Sequence, residues 1–249
     1  MFIEPLLWII LKFLQPNYFS ADGMSTLRIL GMADLHDHAE MLNALNDIDI
    51  DLIAFCGDLH NGSDRELAKP VAEALSKLGP PVLIVPGNMD HKDVVSNLWS
   101  EVGLINIHGN SYRLGNYGFI GMGGMVVRNP RRIGDPSRYY HIDEYVYESL
   151  ANSHQDISSL PHRIVITHQP PRNARDTIHS GEKTGSVSLH RFVVEYSTEL
   201  LLCGHIHEDR GEAQIGSTKV LNVGEMRMGH AAMIEINKAI KVRWLESLT

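Results

Sequence analysis

Seven residues of this chain have types and spacing that suit metal chemistry: Asp34, His36, Asp58, Asn88, His168, His205 and His207. They lie just behind short apolar runs: Leu27–Ala33, Ile53–Cys56, Val82–Val85, Ile164–Thr167 and Leu200–Cys203. Runs of that length are too short for a typical helix and read as buried parallel strands. Open α/β folds place their ligands at the carboxyl edge of such strands. The pairs Asp34-x-His36 and His205-x-His207 have period-two spacing. An extended segment turns both members of such a pair to one face, whereas a helix would make them diverge. A donor set of carboxylate, imidazole and amide oxygen suits Mn, Fe, Zn, Co or Ni, while Ca and Mg prefer all-oxygen shells. Two divalent ions held about 3.5–4 Å apart need a ligand between them to screen their repulsion. Asp58, midway in the motif order, is the expected bridge.

The elements that must position these groups alternate. Between the first two strands Leu42, Leu45 and Ile48 recur at helical spacing. After Asp58 comes a helix with Leu67, Val71, Ala74, Leu75 and Leu78 on one face, which Pro70 either starts near Lys69 or kinks. Val94, Val95 and Leu98 mark another after the third strand. Strand–helix alternation predicts an α/β fold with a parallel sheet and right-handed crossovers. The pattern then changes: residues 105–124 hold two or three short strands with turn signals at Gly109-Asn110 and Gly115-Asn116. A loop over 125–141 carries Arg128, Arg131, Arg132 and Arg138, and Asp143 is the expected N-cap of the next helix. A long polar loop fills 169–185, and Leu189, Phe192, Val193 and Tyr196 predict a helix opening at Gly185-Ser186. Short strands close the chain over 211–245. No linker or tandem repeat interrupts residues 24–249, which read as one domain.

With these motifs in place, the set Asp-x-His, Gly-Asp, Gly-Asn-x-Asp, an isolated His after a strand, and Gly-His-x-His resembles the calcineurin-like metallophosphoesterase superfamily. The match in order and spacing covers residues 27–207. Each motif alone is weak; five in order, each behind a strand, are specific. The resemblance implies a four-layer α/β/β/α sandwich with a dinuclear metal centre. Carried over by motif, Asp34, His36, Asp58 and His207 hold one ion, and Asp58, Asn88, His168 and His205 the other. It further implies hydrolysis of a phosphate ester by in-line attack of a hydroxide shared by the two ions, without a covalent enzyme intermediate. Manganese is the expected metal, with Fe, Zn, Co or Ni as alternatives.

One position departs from the family pattern. Relatives that hydrolyse phosphomonoesters usually read Gly-Asn-His-Asp/Glu, where the histidine protonates the leaving group or steadies the phosphate; here that position is Met89. Methionine neither donates a proton at neutral pH nor hydrogen-bonds strongly. Losing general-acid help costs about 10²–10⁴-fold in rate, most with poor leaving groups. The resemblance therefore points to the phosphodiesterase-like branches, or to activated esters. His38, His60 and His91 are candidate replacement acids. Asn88 is expected to act in catalysis by offsetting charge on the phosphate oxygens from within the metal shell, and Asp58 through the ions it bridges. Asp90 is expected to pair with His91 or adjust local charge. Arg128, Arg131 and Arg132, with Arg138, are candidate phosphate-clamping residues, since guanidinium groups bind such oxygens bidentately. Two other readings compete: a scaffold of the same fold without metal chemistry, and a nuclease of the same superfamily. Scaffolds of that kind lack several ligand histidines, and all of them stand here.

Composition sets the frame. With 249 residues, 43% hydrophobic and 21% charged, the chain reads as soluble and globular. Its net charge of −8 offers no global field for nucleic acid, and no dedicated nucleic-acid-binding region appears. The expected partner is a small phosphorylated substrate. Two cysteines, Cys56 and Cys203, make no disulfide framework and fit a reducing, cytoplasmic setting. Residues 1–23 read as an extension ahead of a start at Met24. Its apolar run over 5–14 is shorter than the roughly 20 residues a membrane span needs, and it lacks the basic leader and cleavage site of a signal peptide.

Overall fold

Two six-stranded sheets stack face to face in the computed structural model, which describes residues 26–45 and 48–246. The extension over 1–23 lies outside these residues. The chain first lays down β1 (Leu27–Met32), β2 (Leu52–Phe55), β3 (Val82–Ile84) and β4 (Ile105–Asn106), all parallel. It then crosses to a second sheet with β5 (Ser111–Leu114) and β6 (Tyr117–Met122). A small parallel pair, β7 (Met125–Val126) and β8 (Tyr140–His141), brackets the arginine loop. The second sheet is completed by β9 (His162–Thr167), β10 (Leu200–Cys203), β11 (Gly211–Ile215) and β12 (Thr218–Asn222) in the order β11-β12-β10-β9-β6-β5. Finally β13 (Ala231–Ile236) and β14 (Ile240–Leu245) return antiparallel to the first sheet, whose order is β14-β13-β1-β2-β3-β4.

Alternate residues of each strand serve different cores, as the two-residue period requires. Ile29, Ala54 and Leu83 meet Phe119, Ile166 and Leu202 between the sheets. On the outer face of the first sheet, Leu30 and Phe55 pack on Val71 and Leu75 of helix α1 (Arg65–Ser76) and on Leu98 and Trp99 of α2 (Lys92–Glu101). On the outer face of the second, Val165 and Leu201 pack on Leu150 of α3 (Asp143–Ile157) and Phe192 of α4 (Val187–Tyr196). Three cores between four layers make the α/β/β/α sandwich, each large apolar side chain contributing about 1.5–3 kcal/mol by burial. Cys56 and Cys203 are free, buried thiols that pack in these cores.

Some local expectations change. The segment Ala39–Leu45 is a 3₁₀ helix that buries Leu42 and Leu45, whose three-residue spacing matches its three residues per turn. Helix α1 starts well before Pro70, capped by Asp64, and buries Ala68, Val71, Ala72 and Leu75, while Leu67 is exposed. Asp143 is not the N-cap of α3; that position is Ile142. Its carboxylate instead accepts from the Ser186 hydroxyl at 2.6 Å and the Ser188 N–H at 3.0 Å, so it serves the start of α4. Ser186 caps α4 as expected, accepting from the Leu189 N–H. Among the described residues no helix is long and apolar enough to cross a membrane.

Candidate metal centre

The carboxyl ends of β1, β2 and β3 meet those of β9 and β10, and the backbone there is unusual. Five of the eight non-glycine residues with positive φ among the described ones are Asp34, His36, Asp37, Asp58 and His205. Asp and His tolerate this left-handed region better than most residues, and strain of this kind gathers at ligand clamps. Backbone hydrogen bonds stitch the loops together: Leu35 and His36 N–H both donate to the Asp58 carbonyl, and Asp34 N–H to that of Gly57. Two glycines are needed for close approach. A Cβ on Gly87 would fall 1.9 Å from Asp58 Oδ1, and one on Gly204 2.5 Å from Asp34 Oδ2.

Two groups of donor atoms converge: Asp34, His36 and His207 in one, Asp34, Asp58 and His168 in the other, each within 4.8 Å. Asp34 is common to both. Asp58 Oδ2 also lies between the two, 4.0 Å from His36 Nε2 and 3.4 Å from His168 Nε2. Asn88 joins the second group, its Oδ1 3.0 Å from His168 Nε2. His205 packs its ring 4.8 Å from that of His168 and donates its backbone N–H to Asp34 Oδ2 at 3.0 Å. All seven residues singled out from the sequence therefore meet at one edge.

The outer partners leave one nitrogen of each of three imidazoles turned inward. His168 Nδ1 bonds the Cys56 carbonyl at 2.8 Å, and His36 Nδ1 bonds Asn61 Oδ1 at 2.8 Å. His207 Nδ1 faces Glu225 at 3.2 Å while its Nε2 faces Asp34 Oδ1 at 3.2 Å. A carbonyl, amide oxygen or carboxylate behind one ring nitrogen fixes the tautomer that offers the other to a cation. Sequence reasoning missed Asn61 and Glu225. Asn61 stands three residues after Asp58, a local hint, whereas Glu225 arrives on the loop after β12 and had no motif to mark it.

Electrostatics fit divalent cations here. Asp34, Asp58 and Asp90 are buried together, and no Lys or Arg among the described residues forms an ion pair with any of them. Burial, then the neighbouring Asp34 and Asp90, push the Asp58 carboxyl well above its usual range. Burial also opposes ionisation of Asp34, but the close contact with His207, and then the nearby His168, bring it below that range. Asp34 Oδ1 is buried, and its contact with His207 Nε2 at 3.2 Å falls outside good hydrogen-bond geometry. Burial lowers His168, and lowers His205 to about 3, which favours the neutral imidazole that offers a lone pair to a cation. Packing anions beside neutral lone pairs is costly without a positive charge at the centre, which a pair of divalent ions supplies.

The candidate acids have other duties. His38 is exposed and bonds Glu40 at 2.9 Å. His91 caps α2, its Nδ1 accepting from the Asp93 N–H at 3.3 Å. His60 is buried with both nitrogens used: Trp99 Nε1–H donates to its Nε2 at 3.2 Å, and Nδ1 faces Asp37 at 3.3 Å. None of the three belongs to the converging groups. Asp90 does not pair with His91. It accepts from the backbone N–H of Asp58, His60 and Gly87 at 3.0, 2.8 and 2.7 Å, tying the β2 and β3 loops together. Met89 contributes through its backbone, its N–H donating to Asp58 Oδ1 at 2.7 Å.

A cleft of about 680 Å³ opens beside His205 and is lined by Arg128 and Arg132 but not by Arg131. Arg138 instead donates to the Met89 carbonyl. Arg172, unmarked in the sequence, also lines the cleft.

A four-layer sandwich with mixed oxygen and nitrogen donors where its two sheets meet defines a metal-dependent phosphoesterase class. Residues 27–209 match the family model for calcineurin-like phosphoesterases, and the chain belongs to that family, whose members work with a dinuclear metal centre. An uncharacterized protein, MJ1162, of Methanocaldococcus jannaschii is 30% identical over 203 residues, 79% of this chain and 87% of that protein. Among solved structures, TT1561 of Thermus thermophilus superposes with a TM-score of 0.70 at 16% identity, over 90% of this chain and 100% of that one. A dimetal phosphatase from Danio rerio superposes with a TM-score of 0.63 at 11% identity, over 89% and 96%. Both structures are similar to this chain in fold.

Proposed function

We propose that this chain is a dinuclear-metal-dependent phosphodiesterase acting on a small phosphorylated substrate. Asp34, His36, Asp58 and His207 would hold one ion, and Asp58, Asn88, His168 and His205 would hold the other, Asp58 serving both. Family membership and the convergence of these donors support the metal assignment. Manganese is the metal to try first. When bound, the two ions supply an activated water and offset charge on the phosphoryl oxygens.

The chain's own residues do the rest. Asp58 is steadied by the Met89 N–H, and Asp90 fixes the loops that present Asp58 and Asn88. Asn88 turns its amide toward the second half-site, where it can also contact a phosphate oxygen.

The observation that carries the diester reading is the missing acid. Met89 stands where phosphomonoesterase relatives have histidine, and His38, His60 and His91 are each engaged elsewhere. Without proton donation, turnover depends on the leaving group's own stability, and the rate should fall steeply as leaving-group pKa rises. The test is Mn²⁺-loaded protein on bis(p-nitrophenyl) phosphate and p-nitrophenyl phosphate. Faster hydrolysis of the diester, with steep leaving-group dependence, is expected. Preference for the monoester, or indifference to the leaving group, would overturn it.

A further inference from the structure

The cleft beside His205 is larger than a phosphate group requires. Its volume of about 680 Å³ lies in the range that holds a drug-sized organic molecule, roughly 300–1,000 Å³. Its lining combines guanidinium groups that pair with no described carboxylate and aliphatic side chains left open to solvent. Arg128 and Arg132 are exposed and form no ion pair with a carboxylate among the described residues. By contrast, Arg65, Arg175, Arg191 and Arg210 each pair with one. Ile142 and Val187, at the starts of two helices, stand on the same lining and are 52% and 56% exposed.

Of the cleft's other charged groups, Arg172 and Asp143 are already engaged. Arg172 donates its Nε–H to the Gly185 carbonyl at 3.0 Å and lies 3.6 Å from Asp176. Asp143 spends both oxygens on Ser186 and Ser188. Glu182 is exposed and lines the cleft as its remaining carboxylate. What is left is two guanidinium groups without a described carboxylate partner, Arg132 lying 5.9 Å from the Tyr140 ring centre, together with the Glu182 carboxylate and an aliphatic surface, next to a metal-centre histidine.

We propose that this cleft binds the organic part of the ester and selects an amphiphilic phosphodiester, with an apolar chain over Ile142 and Val187 and a second anionic group on Arg128 and Arg132. The inference rests on the phosphodiesterase reading for the scissile phosphate, which the metal centre takes. The second anion is a separate group on the same molecule, for which guanidinium forks are suited.

The test uses p-nitrophenyl phosphodiesters whose second alcohol is methanol, hexanol, 1,6-hexanediol, or a six-carbon chain ending in phosphonate. For the wild-type protein kcat/KM should rise about tenfold from methyl to hexyl, as burial of several methylenes allows. It should rise about tenfold again from the hydroxyl end to the phosphonate end, as a charge-assisted contact allows. The variant Ile142→Ser/Val187→Ser should lose the first ratio, and Arg128→Gln/Arg132→Gln the second. Equal kcat/KM across the series, or ratios that persist in these variants, would overturn the proposal. Calorimetric titration of hexane-1,6-diphosphonate against hexylphosphonate reads the cleft without turnover. Tighter binding of the diphosphonate, lost in the arginine variant, supports the cleft even if no diester is hydrolysed, an outcome that would sink the phosphodiesterase reading alone. Hydrolysis of diesters together with equal binding of the two phosphonates sinks the cleft alone.

Discussion

The two sheets bring unlike chemistry to their shared edge. From the first come both carboxylates, the amide and one imidazole, on Asp34, Asp58, Asn88 and His36. From the second come imidazoles alone, on His168, His205 and His207. Their costs differ too. Buried acids repel one another and call for positive charge, whereas burial drives His168 and His205 toward the neutral form that offers lone pairs. Neither half makes the centre by itself. The seam is closed by the His205 N–H on Asp34 Oδ2 and by His168 Nδ1 on the Cys56 carbonyl. The centre therefore depends on the packing of one sheet upon the other.

The largest effect should come from the acidic half. Asp58→Asn keeps shape but removes the charge between the half-sites, and bound metal should fall by one equivalent or more in elemental analysis. Because substituting a residue that merely orients a ligand costs about 10–100-fold, turnover of an aryl diester should fall beyond 100-fold. Full metal content with near-normal turnover would show that the acids are not what holds the ions.

A smaller effect should come from behind the imidazole half. In Glu225→Gln the carboxylate that faces His207 Nδ1 becomes an amide, and affinity for the ion on the His36–His207 side should drop about 10–100-fold in a metal titration. The other ion should be held as before. Equal weakening of both would mean that Glu225 supports the fold and not one half-site.

The smallest effect separates the site's imidazoles from another on the seam. His108 accepts from the Gly123 N–H at 2.9 Å, and burial, then His141, lower it from 6.5 to about 3. The unfolded chain thus binds a proton that the folded chain refuses between those values. Its contribution to stability is complete above about pH 6.5 and is lost as pH falls toward 3. His108→Asn keeps an acceptor without titrating, so the fall in melting temperature between pH 6.5 and 3 should shrink. An unchanged pH profile would assign that acid sensitivity to other groups.

Much of the centre was legible because each of its motifs is local. A short apolar strand, a glycine and a ligand residue sit within a few positions, and strand ends in such folds gather at one edge. The apolar runs also marked most of the strands correctly. Less legible were residues whose work is done across the chain. Asp143 looked like the cap of its own helix and serves the next one; Asp90 read as a partner for His91 or an adjuster of local charge, and its carboxylate binds three backbone N–H groups. Leu67 matched a helical stripe but faces outward, because where α1 rests on the sheet decides which face is buried.

The sequence by itself determined the donor types, their order and the glycines that let Asp34 and Asp58 approach other backbone, since these depend on residue identity and near neighbours. Only the tertiary structure decided which groups stand behind the imidazoles, which histidines are engaged elsewhere, and that Arg128 and Arg132 share a cleft with Ile142 and Val187. Those facts depend on distances between residues far apart in the chain, which come into being when the two sheets pack.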